Sequence, residues 1–269
     1  MTAMLLPTRR VAKPWGRRKL WPGFDDAARD EGPIGEIWFS SAQSDDPELL
    51  VKYLFTSEKL SVQVHPDDEA ARARGYPWGK DEAWLVLAAE PESTIALGPK
   101  RPVSAEELRA AAEDGSIVDL LDWRPVKAGD FIYSPAGTVH AIGAGLTVVE
   151  IQQNLDLTYR LYDYGRPRAL HLDDGVAVSS LEPFNGSVST ARAGLLADGP
   201  KFTVERFEGG DHAIDLQGGT GWLVPVTGVG QVQGQQLQAG QCWSLTGRVE
   251  LSLGPQATAL LASPGPARR

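Results

Sequence analysis

The sequence predicts an all-β protein with a small helical insertion, and three observations support this class. Many short apolar segments are rich in β-branched and aromatic residues, and several of them alternate, as strands do. The 29 glycines and 19 prolines are spread along the chain and separate those segments. One segment, which begins at Ser104, has the capping-box pattern that is typical of a helix N-terminus. Hydrophobic residues make up 42% of the 269 residues, enough to bury a core in one large domain or in a domain with a smaller partner.

Six segments have the composition of strands. They are Ile34–Ser40, Leu49–Thr56, Leu60–His65, Glu82–Ala88, Asp130–Ser134 and Leu146–Gln152. The clearest helix begins at Ser104, whose hydroxyl can accept from the backbone of Glu107 while Glu107 reaches back, which is a capping box. Gly115 is expected to end this helix, and a second short turn follows, so the insertion lies near residues 104–121. Another helix is predicted over Asp67–Arg74.

The residue pattern of the sequence changes near Leu181. Residues 201–262 resemble short strands that are interrupted by glycine pairs, and they contain one histidine, His212. We therefore predict two domains. Residues 1–180 hold the helical insertion and the candidate metal site, and residues 181–269 form a smaller β-rich domain without a metal.

Charge and cysteine content exclude several kinds of partner. The formal net charge of −9 disfavours general binding to nucleic acid or to anionic membranes, so an anionic substrate needs a local group of cations. The single cysteine, Cys242, allows no disulfide within the chain and fits a reducing cytoplasm; we expect a half-buried structural thiol. The N-terminal MTAMLLPTRR lacks a sustained apolar run, so we predict neither a signal peptide nor a transmembrane segment. The oligomeric state is not specified, and a monomer is compatible with the sequence.

One of the four histidines, His65, ends the segment LSVQVH and is followed by Pro66. On a strand, Gln63 and His65 point to the same face. An amide oxygen beside an imidazole nitrogen is half of a metal site. A strand end with an incidental histidine before a turn is an equally good interpretation of this segment alone.

A second histidine, His140, ends the segment GDFIYSPAGTVH. The segment matches the second cupin motif, G-x5-P-x-G-x2-H, at each defined position up to the histidine, although Ala144 stands where an asparagine usually closes the motif. Cupins are double-sheet jelly rolls, in which this turn directs the histidine to the barrel mouth. We therefore predict a cupin jelly-roll barrel plus a second, smaller, cupin-like C-terminal β domain.

The usual first cupin motif, H-x-H followed by a glutamate, is altered in this chain, because Gln63 replaces its first histidine. The missing carboxylate is expected from the segment GKDEAW, in which Glu82 opens an apolar strand. Together, Gln63, His65, Glu82 and His140 offer two imidazoles and two oxygen ligands. Zinc accepts such a set, and iron or manganese would accept it too, so the ligand types alone do not identify the metal.

A third polar segment is EIQQNLDLTYRLYDY, which begins at Glu150. Within it, Arg160 is a permanent cation that can grip a phosphate or an enediolate oxygen. A solvent-facing strand with surface salt bridges is the alternative interpretation of this segment.

In this order, LSVQVHPDD, GKDEAW, PAGTVHAIGAG and EIQQNLDLTYRLYDYGR resemble the type I mannose-6-phosphate isomerases, in their shorter bacterial form. The resemblance runs from about Pro14 to His171. It implies an aldose–ketose isomerase that interconverts mannose 6-phosphate and fructose 6-phosphate through a cis-enediol(ate). It also implies one divalent ion, expected to be Zn²⁺, on the four ligands that are named above.

The resemblance places the family's active-site arginine on Arg160, and its neighbouring lysine and aspartate on Lys80 and Asp156. A histidine that stands beside the lysine in some members is replaced by Gly79. Asp156, Glu150 and a metal-bound water all stay open as the general base. The alternative function is a non-catalytic cupin that binds a sugar or sugar phosphate. An iron-dependent oxygenase is disfavoured, because such sites use two histidines and one carboxylate and need no arginine.

Overall fold

Strands dominate the computed structural model, which describes residues 3–21, 23–40 and 47–265. The strands are β1 (Ala3–Leu5), β2 (Thr8–Arg17), β3 (Ile34–Phe39), β4 (Leu49–Phe55), β5 (Val62–Val64), β6 (Glu82–Ala89), β7 (Thr94–Pro99), β8 (Leu121–Pro125), β9 (Asp130–Ser134), β10 (His140–Ile142), β11 (Leu146–Gln153), β12 (Tyr159–Tyr162), β13 (Ser189–Thr190), β14 (Gly194–Asp198), β15 (Phe202–Thr227), β16 (Gly230–Val232), β17 (Gln235–Leu237) and β18 (Trp243–Pro264). The helices are α1 (Asp68–Arg72), α2 (Ala105–Asp114), α3 (Ile117–Leu120) and α4 (Leu172–Val178). The predicted all-β class with a helical insertion is confirmed.

The chain folds into two compact units, Met1–Tyr53 with Thr190–Arg269, and Leu54–Ser189. They do not coincide with the predicted domains 1–180 and 181–269. One physical reason is that β1 pairs with β18 in antiparallel register, so the N-terminal strand is part of the C-terminal sheet. A prediction that was based on changes of residue pattern along the chain could not include this pairing of distant segments.

The unit Leu54–Ser189 has two layers of strands. One sheet has the order β12-β5-β10-β7-β8, and β9, β6 and β11 lie side by side in the other. Helices α2, α3 and α4 cover one face of the five-stranded sheet, where Val62, Val64 and Ala96 share an apolar cluster with Leu108 and Ile117. Because side chains alternate along a strand, the neighbours of these residues point to the other face, which is therefore free to carry polar groups.

The other unit holds a six-stranded sheet of β14-β15-β18-β16-β17 with β1 added to β18, and the strands β4, β3 and β2 in that order. Here the expectation of short strands between glycine pairs is wrong, because β15 and β18 are long. Gly209 and Gly210 lie inside β15 with φ of 29° and 94°, at a shift in the pairing with β18. This glycine pair therefore bends a continuous strand, as bulges do.

The helix signals of the sequence are confirmed. Ser104 is the N-cap of α2, its hydroxyl accepts from the backbone of Glu107 at 3.1 Å, and Gly115 ends the helix in the left-handed conformation. Asp67 is the N-cap of α1, and its side chain accepts from the backbone nitrogen of Ala70. Helix α4 was not predicted, because no side chain caps its first turn at His171. In the described part of the chain, no helix has the length and apolar character that crossing a membrane requires.

Candidate metal centre

Three buried side chains from separate strands converge inside the unit Leu54–Ser189. His65, Glu82 and His140 are each 1% exposed, and their potential ligand atoms all lie within 4.8 Å of one another. Within the described residues, this is the one group of three or more histidine, cysteine or acidic side chains that could hold a metal ion. The fold therefore brings together two histidines and a carboxylate that are distant along the chain.

Strand ends and register position these side chains. His65 directly follows β5, whereas Glu82 and His140 are the first residues of β6 and β10. In the five-stranded sheet, Gln63 lies opposite both His140 and Arg160, which places the three side by side in one row. Residues opposite each other on adjacent strands point to the same face, so this row faces away from the helical cover.

The hydrogen bonds of the two imidazoles define their tautomers. His65 Nδ1 lies 3.0 Å from the carbonyl oxygen of Leu157, and His140 Nδ1 lies 2.9 Å from that of Thr138. Because a carbonyl oxygen only accepts, each Nδ1 carries a hydrogen, and in the neutral form of either ring Nε2 presents a lone pair. Burial, followed by the nearby charge of Lys80, lowers the pKa of His65 to about 3, so this ring is neutral near pH 7.

These lone pairs converge on a carboxylate. His65 Nε2 lies 3.2 Å from Glu82 Oε1, and His140 Nε2 lies 3.4 Å from Glu82 Oε2. His65 Nε2 and Glu82 Oε2 are buried, and neither has a hydrogen-bond partner among the described residues. Lone pairs that face each other in a dry interior repel, and a divalent cation among them would turn that repulsion into attraction. The donor set therefore fits a metal ion.

Gln63 completes the predicted ligand set. Its Nε2 lies 3.3 Å from His140 Nε2, and its Oε1 accepts from the hydroxyl of Ser61 at 3.3 Å. A half-turn of the amide exchanges its nitrogen and oxygen, and Ser61 can accept as well as donate. Gln63 is thus close enough to the three converging side chains to serve as a fourth ligand through its oxygen.

Lys80 is a buried cation beside the centre. Its Nζ lies 3.2 Å from Glu82 Oε1, and the side chain is 5% exposed. Burial alone raises the pKa of the Glu82 carboxyl, but its interactions with His65 and then Lys80 together outweigh burial, so that pKa lies well below its usual range. Glu82 is therefore ionised and able to act as a ligand at neutral pH.

Gly79, which stands where some family members have a histidine, is fixed by close backbone packing. A Cβ at this position would lie 2.4 Å from the carbonyl carbon of Asp67 and 2.6 Å from the nitrogen of Asp68. Its own nitrogen donates to Asp68 Oδ1 at 2.8 Å. The backbone of Asp67 and Asp68 leaves no room for a histidine side chain at position 79. No side chain at this position can therefore take over the role of that histidine.

The structure separates the two candidate carboxylate bases. Glu150 lies opposite Trp84 in the pairing of β11 with β6, and Gln152 lies opposite Glu82, so all four side chains point to one face. Glu150 is buried and accepts from the indole nitrogen of Trp84 at 3.0 Å, and the Trp84 ring lies 5.1 Å from that of His140. Asp156, in contrast, is exposed in the connection between β11 and β12.

The guanidinium of Arg160 is partly buried and donates to a loop carbonyl. Its side chain is 17% exposed, its Nη1 donates to the carbonyl oxygen of Ala169 at 2.9 Å, and its Nε lies 3.9 Å from Asp163 Oδ2. That Nε is buried, and no residue in the described part of the chain makes a hydrogen bond to it. Burial, then the neighbouring Arg168, lower the pKa of Arg160, but a guanidinium stays charged at any working pH.

Asp163 and His171 lie against Arg160, and neither was predicted as a site residue. Asp163 is buried and accepts from Arg166 at 3.1 Å and from Arg168 at 2.5 and 2.7 Å. The ring of His171 accepts through Nδ1 from the backbone nitrogen of Arg160 at 3.1 Å. The two arginines that follow Asp163 in DYGRPR were the available signal for the Asp163 cluster, whereas nothing in the local sequence pointed to His171.

Comparisons with known proteins agree with the predicted resemblance. A mannose-6-phosphate isomerase of Streptococcus mutans is 39% identical over 194 residues, which are 65% of this chain and 61% of that protein. The chain thus spans about three fifths of that curated relative, and a 40% identical Bacillus subtilis protein of the same description is matched over 50% of its length. No family model matches the chain.

The fold is shared with solved structures over nearly the whole chain. The crystal structure of the mannose 6-phosphate isomerase from Bacillus subtilis has a TM-score of 0.79 at 23% identity, covering 97% of this chain and 99% of that one. A structure described as mannose 6-phosphate isomerase with zinc bound has a TM-score of 0.71 at 15% identity, covering 98% of this chain and all of that one. The chain is thus similar in sequence to a curated mannose-6-phosphate isomerase over 65% of its length, and it shares the fold of a solved one over nearly all of it.

Proposed function

We propose that this chain is a metal-dependent aldose–ketose isomerase that interconverts mannose 6-phosphate and fructose 6-phosphate through a cis-enediol(ate). The observation that carries the proposal is the buried centre, in which the lone pairs of His65 and His140 and the carboxylate of Glu82 converge. Two cations that suit an anionic substrate, Lys80 and Arg160, lie beside ligand residues. The 39% identical relative with that activity in its description supports the same reading.

The proposed metal ligands are Gln63, His65, Glu82 and His140, and the proposed ion is zinc. Two nitrogen and two oxygen ligands suit zinc, and a zinc-bound structure has the same fold. A divalent ion that is bound there would polarise the sugar oxygens and lower the free energy of the enediolate. We also propose that residues 181–269 hold no metal, so that each chain binds one ion.

The side chains of the chain have separate tasks in this proposal. The reaction moves one proton between C2 and C1, so it needs a base that removes the proton from one carbon and returns it to the other. Arg160 stabilises the developing negative oxygen or holds the phosphate, because its charge is permanent and its Nε bonds to none of the described residues. Lys80 is held at the ligand Glu82 and supplies a second positive charge to the substrate oxygens.

The experiment that tests the proposal is metal analysis of the purified protein together with an isomerase assay before and after chelation. We expect about one divalent ion per chain, loss of turnover on chelation and recovery on addition of zinc. The competing function is a cupin that binds a sugar or sugar phosphate without turning it over. Sugar phosphate binding without any turnover by the metal-loaded protein would favour that second function.

The general base is expected to be Glu150, because its carboxylate is buried and points to the same face of the sheet as Glu82. Replacement by glutamine keeps the shape and removes the proton acceptor, so Glu150→Gln should lower kcat by about 100-fold or more at unchanged metal content. Asp156→Asn is the comparison variant, measured by steady-state kinetics with both sugar phosphates. A larger loss of kcat in Asp156→Asn than in Glu150→Gln would transfer the role to Asp156.

Cys242 is expected to have no part in catalysis. The expectation of a half-buried thiol is corrected, because the residue is fully buried just before β18, in the unit that does not hold the centre. Burial also raises the pKa of the thiol, so that the reactive thiolate is not populated. Cys242→Ala should keep turnover and metal content and cost about 1 kcal/mol of unfolding free energy. Loss of most activity in a variant that still melts cooperatively would contradict this.

A further inference from the structure

Asp81 stands between Lys80 and Glu82, and it is a buried carboxylate that the proposed reaction does not use. It is 3% exposed. Its Oδ2 accepts from the hydroxyl of Tyr133 at 2.6 Å, and its Oδ1 accepts from the backbone nitrogen of Ala136 at 2.9 Å. Both are charge-assisted hydrogen bonds in a dry environment, which are the stronger kind and hold geometry well.

The turn that Asp81 holds is the one that leads to His140. Ala136 and Gly137 belong to the Pro-x-Gly turn before β10, and the Gly137 nitrogen donates to the carbonyl oxygen of His65 at 2.9 Å. One residue further, the carbonyl of Thr138 accepts from His140 Nδ1 and fixes the direction of its ring. One short turn therefore contacts the segments of all three converging ligands, and Asp81 links it to the strand of Glu82.

The backbone of Asp81 is also fixed. Its nitrogen donates to Gln153 Oε1 at 3.0 Å, and its carbonyl oxygen accepts from the Gln153 nitrogen at 3.1 Å. The Lys80 nitrogen donates to the carbonyl oxygen of Pro66 at 3.0 Å. Because the residue cannot shift independently of these partners, its carboxylate sets how far the His140 turn lies from Glu82.

We propose that Asp81 is a positioning residue that sets the affinity of the centre for its metal without touching the ion. The inference rests on the proposed function, because it requires that the centre binds a metal. Groups that orient metal ligands typically change metal affinity by about 10- to 100-fold when they are lost. Asp81 acts on two ligands at once, since the same turn bonds to the backbone of His65 and to the ring of His140.

The test measures the apparent Kd for zinc by competition with a chelator in the full chain, alongside thermal unfolding of the metal-free form. Asp81→Asn keeps the shape but removes the charge, and we expect its Kd to rise by about 10- to 100-fold. Tyr133→Phe removes the hydrogen bond from the phenol to Asp81 and keeps the one from Ala136, so its Kd should rise by a smaller factor. This second variant decides the question if Asp81→Asn does not fold.

The matched control is Asp130→Asn. Like Asp81, Asp130 is a buried aspartate, and it lies on β9, at the end of that strand away from Tyr133. Its carboxylate accepts from the backbone nitrogen of Lys127 at 2.9 Å. This variant should melt earlier and keep the parental Kd. Parental affinity in Asp81→Asn, or an equal weakening in Asp130→Asn, would overturn the positioning role alone. A parent protein that binds no zinc would overturn the proposed function and this inference with it.

Discussion

His140→Ala is expected to abolish tight metal binding and, with it, isomerase turnover. The change removes one of two imidazoles whose Nε2 lone pairs face Glu82, and it leaves Glu82 Oε2 beside a cavity. Loss of a direct ligand should weaken affinity by more than the roughly 100-fold that loss of an orienting group can cause. Elemental analysis after gel filtration and a chelator competition assay measure the loss directly.

Thermal unfolding gives a second readout that does not depend on activity. An ion that binds only the folded state stabilises it by about 2.7 kcal/mol at a free concentration of 100 times Kd. The parent should therefore melt at a higher temperature when zinc is added, and His140→Ala should not respond. Without metal, the variant should be about as stable as the parent, because it also loses the repulsion between the His140 lone pair and Glu82.

His212→Ala is the matched control for this prediction. His212 lies in β15, in the other compact unit, and packs edge-on against Phe207 with ring centres 5.0 Å apart. The same chemical change there should leave metal content and zinc response as they are in the parent. If His140→Ala retained the parental metal content, the centre would be misassigned.

Much of the fold and of the centre could be predicted because the relevant signals are local. The capping box at Ser104 and the left-handed Gly115 specify α2 within twelve residues of sequence. The turn before His140 carries its own sequence motif, and Glu82 opens a strand of continuous apolar residues. Such signals arise from backbone sterics and nearest neighbours, so they are readable without knowledge of the tertiary structure.

What could not be predicted depends on pairing between distant segments. The addition of β1 to β18 decides which residues share a compact unit, and no local pattern encodes it. The same holds for the register that places Arg160 beside Gln63, and for His171, which returns along the chain to accept from the Arg160 backbone. Glycine pairs mark the bends of β15, but whether a strand bends or ends there is decided by its partner strand.

Arg160→Ala is expected to lower turnover by about 100- to 1,000-fold, or 3 to 4 kcal/mol, at unchanged metal content. The protein carries a net charge of −9, so an anionic substrate needs a local cation. Arg160 lies one strand from Gln63, and its buried Nε has no hydrogen-bond partner within the described ranges. Arg160→Lys should restore little of the loss, because an ammonium supplies charge without the planar fork of donors. The measurement is steady-state kinetics on the metal-loaded variants.

The structural alternative is that Arg160 only ties its strand to the following loop through Ala169 and Asp163. Arg124 provides the matched control, since it lies on β8 at the opposite edge of the same sheet, at 23% exposure, and donates to the carbonyls of Phe184 and Gly186. Both alanine variants lose a guanidinium that binds loop carbonyls, so both should lower the melting temperature. Only Arg160→Ala should lower turnover, because Arg124 lies three strands from Gln63 in the order of the sheet. Near-parental turnover in metal-loaded Arg160→Ala would remove Arg160 from the mechanism.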